Sequence, residues 1–345
     1  MSDFTEKINQ IIEENISDIE DEKEKNNKIT QIYEFAINKM AKSIKNNLDD
    51  NSKNILSREN RIFEKKNNKI IKKTWRKVFD ILDDIIEITQ ESMESYFTQF
   101  NEIANKENNL VYHAIRTIHT RVVLCFKECL ILLKNGYSEG ATKIWRTMYE
   151  LTIVASFIRK HSNDNELVQR YIDHIIIDNY KEESEYRKQS MTRQHYTDNA
   201  FIQMEKEYDI IIAKYGKSFK KDFGWASKIL NKDNLTLYDL ELDIKNTKHH
   251  PYYKSSCFAI HSNYKGNVDK IGLINNNVLL YGPSDYGLSI PCQNIAIILN
   301  QINLEFFTIY FSLDYYVAIY TINLYLDELL PLADKTQEKL KNNQS

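Results

Sequence analysis

Glycine and proline are scarce: 8 and 4 residues in a chain of 345, against roughly 7% and 5% in ordinary soluble proteins. So few turn formers and strand breakers leave little material for a many-stranded sheet, and they favour long helices joined by short polar loops. The same scarcity removes the phosphate-cradling loops: no Walker loop, no Gly-x-Gly-x-x-Gly and no Gly-x-Ser-x-Gly is present. There are four cysteines, Cys125, Cys129, Cys257 and Cys292, with no Cys-x-x-Cys. A disulfide framework or zinc ribbon is thereby excluded, and a reducing cytoplasm is the expected setting. A basic excess is missing too: the net charge is -3 and the pI about 6.3, so bulk electrostatics give no reason to expect a general nucleic-acid binder. The opening Met-Ser-Asp-Phe-Thr-Glu-Lys has neither a basic stretch nor an apolar run, and no secretion signal is read there.

What the chain has in quantity is Ile, Asn, Lys and aromatic residues, including 22 Tyr and 15 Phe. These can fill a large core while leaving many phenols to find partners. One long apolar run, Phe306 to Leu326, carries a single charge, Asp314. It is long enough to span a bilayer. A mid-run carboxylate, Asn323, many Tyr and Thr, and the lack of flanking Lys or Arg point instead to a buried core helix, and no membrane span is expected.

Apolar residues follow the helical period in Phe4–Ile19 and Ile29–Met40, and again from Ile70 through Ile88. Residues 1–104 therefore read as a helical N-terminal arm, too irregular for a strict coiled coil. Its basic run Lys65, Lys66, Lys69, Lys72, Lys73, Arg76 and Lys77 reads as a solvated face. Residues 105–330 read as a helical bundle. An apolar helix over Val111–Leu133 stops at Asn135-Gly136, and a second helix follows at once to about Lys160, which makes the two antiparallel neighbours. Further helices are expected over Leu167–Gln189 and Ala200–Tyr215, and a long helix or helix pair from Pro291 to Leu330. Around residues 263–290, two short apolar runs flank the triplet Asn275-Asn276-Asn277, a pattern for a small β-hairpin insertion. Residues 331–345 read as a frayed polar tail. The expected fold class is all-α.

Two stretches concentrate chemistry. On the second bundle helix, Arg146 and Glu150 stand at i and i+4 among Ile144, Trp145, Met148 and Leu151, where a charge is costly unless partnered. In Tyr253-Lys-Ser-Ser-Cys257-Phe-Ala-Ile-His261-Ser262, helical spacing would stack a phenol, a thiol and an imidazole on one face. A Cys257/His261 metal pair matches no zinc spacing, and no metal or cofactor is expected.

Gly136, Glu139-Gly140-Ala141, Arg146-x-x-x-Glu150, Phe223-Gly224-Trp225-Ala226 and Tyr253-Lys-x-x-Cys257-x-x-x-His261-Ser262 together resemble the motifs of the bacterial domain of unknown function 5677 family, over about residues 105–330. The family pattern leads one to expect Ser where Cys257 stands. Some members look like parts of defence or abortive-infection loci, and the resemblance groups Arg146, Glu150, Tyr253 and His261 into one site.

Chemically, those four could cleave a phosphodiester without a metal: His261 as general acid or base, Arg146 stabilising charge on phosphorus, Glu150 orienting either. The Arg-then-His spacing of the HEPN class of helical ribonuclease toxins is not met, since two residues separate Arg116 from His119 and three separate Arg170 from His174. Two readings stay open. One is a cytoplasmic effector of antiphage defence, a toxin-like ribonuclease with RNA as substrate. The other is a non-catalytic binding or assembly protein in which the Arg/Glu/His cluster is a structural polar lock. In the second, the N-terminal arm engages a protein partner, and a homo-oligomer is compatible with either.

Overall fold

The computed structural model describes residues 2–51, 57–189, 196–261, 264–273 and 280–344. These residues form thirteen α-helices and two short 3-10 turns, with no strand among them. The all-α expectation holds. The Asn275–Asn277 triplet of the expected hairpin lies outside the described residues. Within the same insertion, residues Tyr264–Val268 form a helical turn, so part of it is helical.

The chain divides into two compact units, Met1–Lys66 and Asn67–Ser345. The first holds α1 (Ser2–Ile16) and α2 (Glu22–Asn51), which pack on each other. Asp21 caps α2 by accepting from the backbone amides of Lys23 and Glu24, at 2.6 and 3.1 Å. The next helix, α3 (Ser57–Lys106), gives most of its length to the second unit. Its Ile71, Trp75, Val78, Phe79, Leu82, Ile85, Tyr96 and Phe100 are buried in the main core. The unit boundary therefore falls near residue 66 rather than at 104, because the apolar face that begins at Ile71 is core.

The second unit is built around α4 (Leu110–Lys134), α5 (Ser138–Lys160) and α12 (Ser289–Phe307). Asn109 caps α4 through its side chain. Gly136 closes it: Tyr137 N donates to Leu132 O at 2.9 Å and Gly136 N to Leu133 O at 3.0 Å. Gly136 has φ +81, and a Cβ there would stand 2.6 Å from Ile71 Cδ1 and 2.7 Å from Ser284 O, so both conformation and space require glycine. The chain reverses there and α5 runs back along α4. Helix α12 is apolar on nearly every side and is buried accordingly, from Cys292 to Phe307. Across it, His119 Nε2 meets Asn303 Oδ1 at 2.8 Å, and Asn303 Nδ2 donates to Thr89 Oγ1 at 2.8 Å.

The apolar run Phe306–Leu326 is two helices rather than one. Helix α12 ends at Phe307 and α13 (Leu313–Gln344) starts after a break, and only one side of α13 is buried. Among the described residues no helix is long and apolar enough to cross a membrane. Residues 331–344, expected to fray, continue α13, with Pro331 inside the helix and Leu332 and Leu340 packed on the core.

The remaining helices are α6 (Asn165–Lys188), α7 (Asp198–Tyr215), α8 (Ser227–Leu230), α9 (Leu237–Asp243), α10 (His250–Ile260) and α11 (Tyr264–Val268). Arg170 of α6 is buried without a carboxylate partner. It donates to Trp225 O (2.9 Å), Gly224 O (3.0 Å) and Ser227 Oγ (3.1 Å), and its guanidinium lies 4.7 Å from the Tyr215 ring centroid. This fixes the Phe223-Gly224-Trp225-Ala226 stretch, where Gly224 is required because a Cβ would stand 2.4 Å from two backbone oxygens.

Candidate functional site

Helix α5 presents Arg146, Tyr149 and Glu150 to α10, and α9 lies alongside. The Thr236/Asp239 capping box starts α9. A Schellman closure ends it: Asn246 N donates to Glu241 O at 2.9 Å and Lys245 N to Leu242 O at 3.2 Å, with Lys245 at φ +57 where glycine is usual. This reversal carries the chain back so that α10, with Pro251 in its first turn, begins beside α9.

Three of the four sequence-predicted residues meet. Arg146 Nη2 donates to Tyr253 Oη at 3.1 Å and lies 3.0 Å from Glu150 Oε1. Tyr253 Oη donates to the same Glu150 oxygen at 2.9 Å. The guanidinium also stacks over the Tyr253 ring, 5.0 Å from its centroid. The cluster is neither sealed nor fully open, with side-chain exposures of 23% for Arg146 and 38% for Glu150. Burial raises the Tyr253 phenol's pKa and Glu150 adds to this, while Arg146 opposes it.

His261 is placed differently from the helical reading. Helix α10 ends at Ile260, and His261 is its extended C-terminal cap, exposed to solvent. Its backbone amide closes the last turn on Cys257 O at 2.9 Å. Among the described residues no hydrogen bond, ion pair or ring contact joins its side chain to Arg146, Glu150 or Tyr253. The i, i+4, i+8 face therefore stops at Cys257, whose thiol donates to Tyr253 O at 3.3 Å. No group of three or more metal-ligating side chains occurs among the described residues.

The histidine that does reach the cluster is His250. Its ring centroid is 5.9 Å from that of Tyr253, and its Nδ1 is 2.6 Å from Glu241 Oε2. Glu241 is fully buried. Burial raises its carboxyl pKa, with His250 and Tyr149 pulling it back. A buried carboxylate on Nδ1 fixes the imidazole's orientation, and Nε2 has no partner among the described residues. Tyr149 fills the space between, its ring 5.6 Å from Tyr253 and 6.5 Å from His249. Two buried polar atoms in this small region, Arg146 Nε and His249 Nδ1, lack a hydrogen-bond partner, while the Tyr149 hydroxyl faces the Glu241 carboxylate. Such unpartnered groups are uncommon in folded proteins.

Glu241, His250 and Tyr149 carry no spacing signal in the sequence. His250 shows only as one of two adjacent histidines before Pro251, and Glu241 as one acid among many. Their meeting depends on the α9–α10 reversal. Two other histidines, His174 and His161, are already engaged. His174 lines a cavity of about 520 Å³ with His113, Asp178 and Trp225, but both its nitrogens are held, by Asp178 at 3.2 Å and Lys221 O at 2.9 Å. His161 Nε2 is bound by Asp243 at 2.8 Å.

Comparison with curated proteins and with solved structures gave no match. A family model does match, over residues 112–277, from α4 through α11, a span that holds Arg146, Tyr149, Glu150, Glu241, His250 and Tyr253. Over this segment the chain is similar to DUF5677, a family of unknown function.

Proposed function

We propose that this chain is an RNA-cleaving effector of bacterial defence, working by general acid–base catalysis with His250 as the proton-transfer group. The observation that carries the enzyme reading is the His250–Glu241 pair, 2.6 Å apart with the carboxylate fully buried, beside an arginine. An imidazole oriented through Nδ1 leaves Nε2 for proton transfer. Arg146, 5.0 Å from the Tyr253 ring against which His250 also packs, supplies the cation that charge on a phosphorane needs. RNA carries its own nucleophile. The 2′-hydroxyl attacks phosphorus, His250 takes its proton, and the 5′-oxygen leaves with a proton returned to it, giving a cyclic phosphate and a 5′-hydroxyl. Glu241 and Tyr149 act as positioning residues. His261, the expected base, lies at the exposed end of α10, and His250 takes that role here. The defence setting is the expectation carried by the family resemblance.

A second reading has its own observation. Arg146, Glu150 and Tyr253 close a triangle of mutual bonds at 2.9 to 3.1 Å, which is what a polar lock between α5 and α10 requires in a binding or assembly protein.

The experiment is growth of bacteria, with and without phage, expressing wild type, Arg146→Ala, His250→Ala or His261→Ala, each confirmed folded by thermal melting. Growth arrest or protection lost in Arg146→Ala and His250→Ala but kept in His261→Ala supports the enzyme. Identical behaviour of all four proteins overturns it in favour of the lock.

A further inference from the structure

Helix α13 is apolar on two sides. Its inner seam, Tyr315, Ile319, Ile322, Leu326, Leu329 and Ala333, is buried in the bundle. Its outer side carries Leu313, Val317, Tyr320 and Leu324, between 53% and 68% exposed. Phe311 and Tyr316 extend the stripe, their rings 5.5 Å apart. No charged side chain interrupts it, since Asp314 projects about a quarter turn away. A contiguous exposed apolar stripe of this length is unusual on a monomer's surface.

We propose that this stripe is a self-association surface, on which α13 of a second copy packs antiparallel about the midpoint between Ala318 and Ile319. The proposal does not depend on the chemistry at Arg146.

The first argument is the spacing. Leu313, Val317, Tyr320 and Leu324 are separated by four, three and four residues, the a/d spacing of a two-helix seam. It reads the same in both directions. An antiparallel copy therefore brings Leu313 against Leu324 of the partner subunit and Val317 against Tyr320 of the partner subunit, with the same contacts repeated by the twofold axis.

Charge selects that direction. The stripe's next position after Leu324 is Asp327, followed by Glu328. Parallel pairing would set Asp327 against its own copy. Antiparallel pairing carries Asp327 and Glu328 past Leu313 to the amino-terminal end of the opposing helix, whose dipole favours a carboxylate. Charge also argues against an anionic membrane as the occupant, because no Lys or Arg occurs between Lys270 and Lys335.

Area agrees. Six side chains at these exposures present on the order of 600 Å² per copy, so a twofold pair buries about 1,200 Å², the lower end of specific interfaces. An interface at that end of the range suits a reversible dimer, and the test spans the micromolar range.

The test is sedimentation velocity of the full chain from about 1 to 100 μM. The expected result is a rise from the 40.9 kDa monomer toward twice that mass. Val317→Asp and Tyr320→Asp should each weaken association at least tenfold, with thermal melting unchanged because both side chains are exposed in the monomer. Register is read by mixing Leu313→Cys protein with Leu324→Cys protein, which should form a mixed disulfide faster than either forms with itself. A monomer across the whole range, a dimer indifferent to both Asp substitutions, or faster self-crosslinking would each overturn the proposal. So would flotation with neutral phospholipid vesicles in the absence of self-association.

Discussion

Arg146 and Arg170 are both partly or wholly buried arginines on bundle helices, and the same substitution should affect them very differently. In Arg170→Met the guanidinium's three bonds, at 2.9, 3.0 and 3.1 Å, are lost. Gly224 O keeps Ser227 Oγ, which donates to it at 2.7 Å, but Trp225 O is stranded in a buried turn. Charged hydrogen bonds contribute roughly 1.5–3 kcal/mol each, and an orphaned buried carbonyl costs about 1–3 kcal/mol. Against this, methionine removes the burial cost of a charge that has no carboxylate beside it. The net loss is about 3 kcal/mol, which lowers the melting temperature by roughly 6–10 °C in a unit of this size. In Arg146→Met, Tyr253 still donates to Glu150, and Glu150 keeps contact with water. A half-exposed pair contributes little, so the loss is about 1 kcal/mol, or roughly 2–3 °C. The assay is differential scanning calorimetry of the three proteins at pH 7, run with the growth assay. A shift below 2 °C for Arg170→Met would show that the 224–227 turn stands without the guanidinium. A drop for Arg146→Met as large as for Arg170→Met would move Arg146 from the site to the scaffold.

Acid should weaken the fold through His119. Asn303 Nδ2 donates to Thr89, so Asn303 Oδ1 must accept from His119 Nε2, which leaves a bare, buried Nδ1 without a partner. Burial holds this imidazole down to about 4 from 6.5. Above 6.5 both folded and unfolded forms are neutral. Below it the unfolded chain takes a proton that the folded chain refuses, so about 3 kcal/mol of stability is lost between pH 6.5 and 4. His119→Gln should flatten that limb of the stability–pH profile, measured by urea unfolding; an unchanged slope refutes the assignment. Lys245 sits at φ +57 in the α9–α10 reversal, and Lys245→Gly should raise stability by about 0.5 kcal/mol, read as a higher urea midpoint at unchanged slope. A lower midpoint would mean that the lysine side chain, not the turn, stabilises that position.

The one-dimensional periodicities determined the helices. The 3.6-residue pattern located α4, α5, α6 and α7 to within a few residues, and Asn135-Gly136 announced the α4–α5 reversal, because helix period, capping and glycine geometry are local properties of the chain. Arg146 and Glu150 were legible for the same reason, being one helical turn apart. Tyr253 joined them through the spacing of its own stretch. His261 was placed on that face only by assuming that α10 continued, and it ends at Ile260. The helical turn that stopped short exchanged one histidine for another. Glu241 and His250 stand nine residues apart across a helix end, a left-handed lysine and a proline, and nothing in a period or motif specifies that they meet. Which side of α3 and α13 is core was also decided in three dimensions. Both helices are apolar enough to be ambiguous alone; α3 is buried along Ile71–Phe100 in the common core, where Thr89 and Tyr96 meet Asn303 and Phe306 of α12, and α13 packs on α12 with only half of its surface, leaving Leu313, Val317, Tyr320 and Leu324 outside.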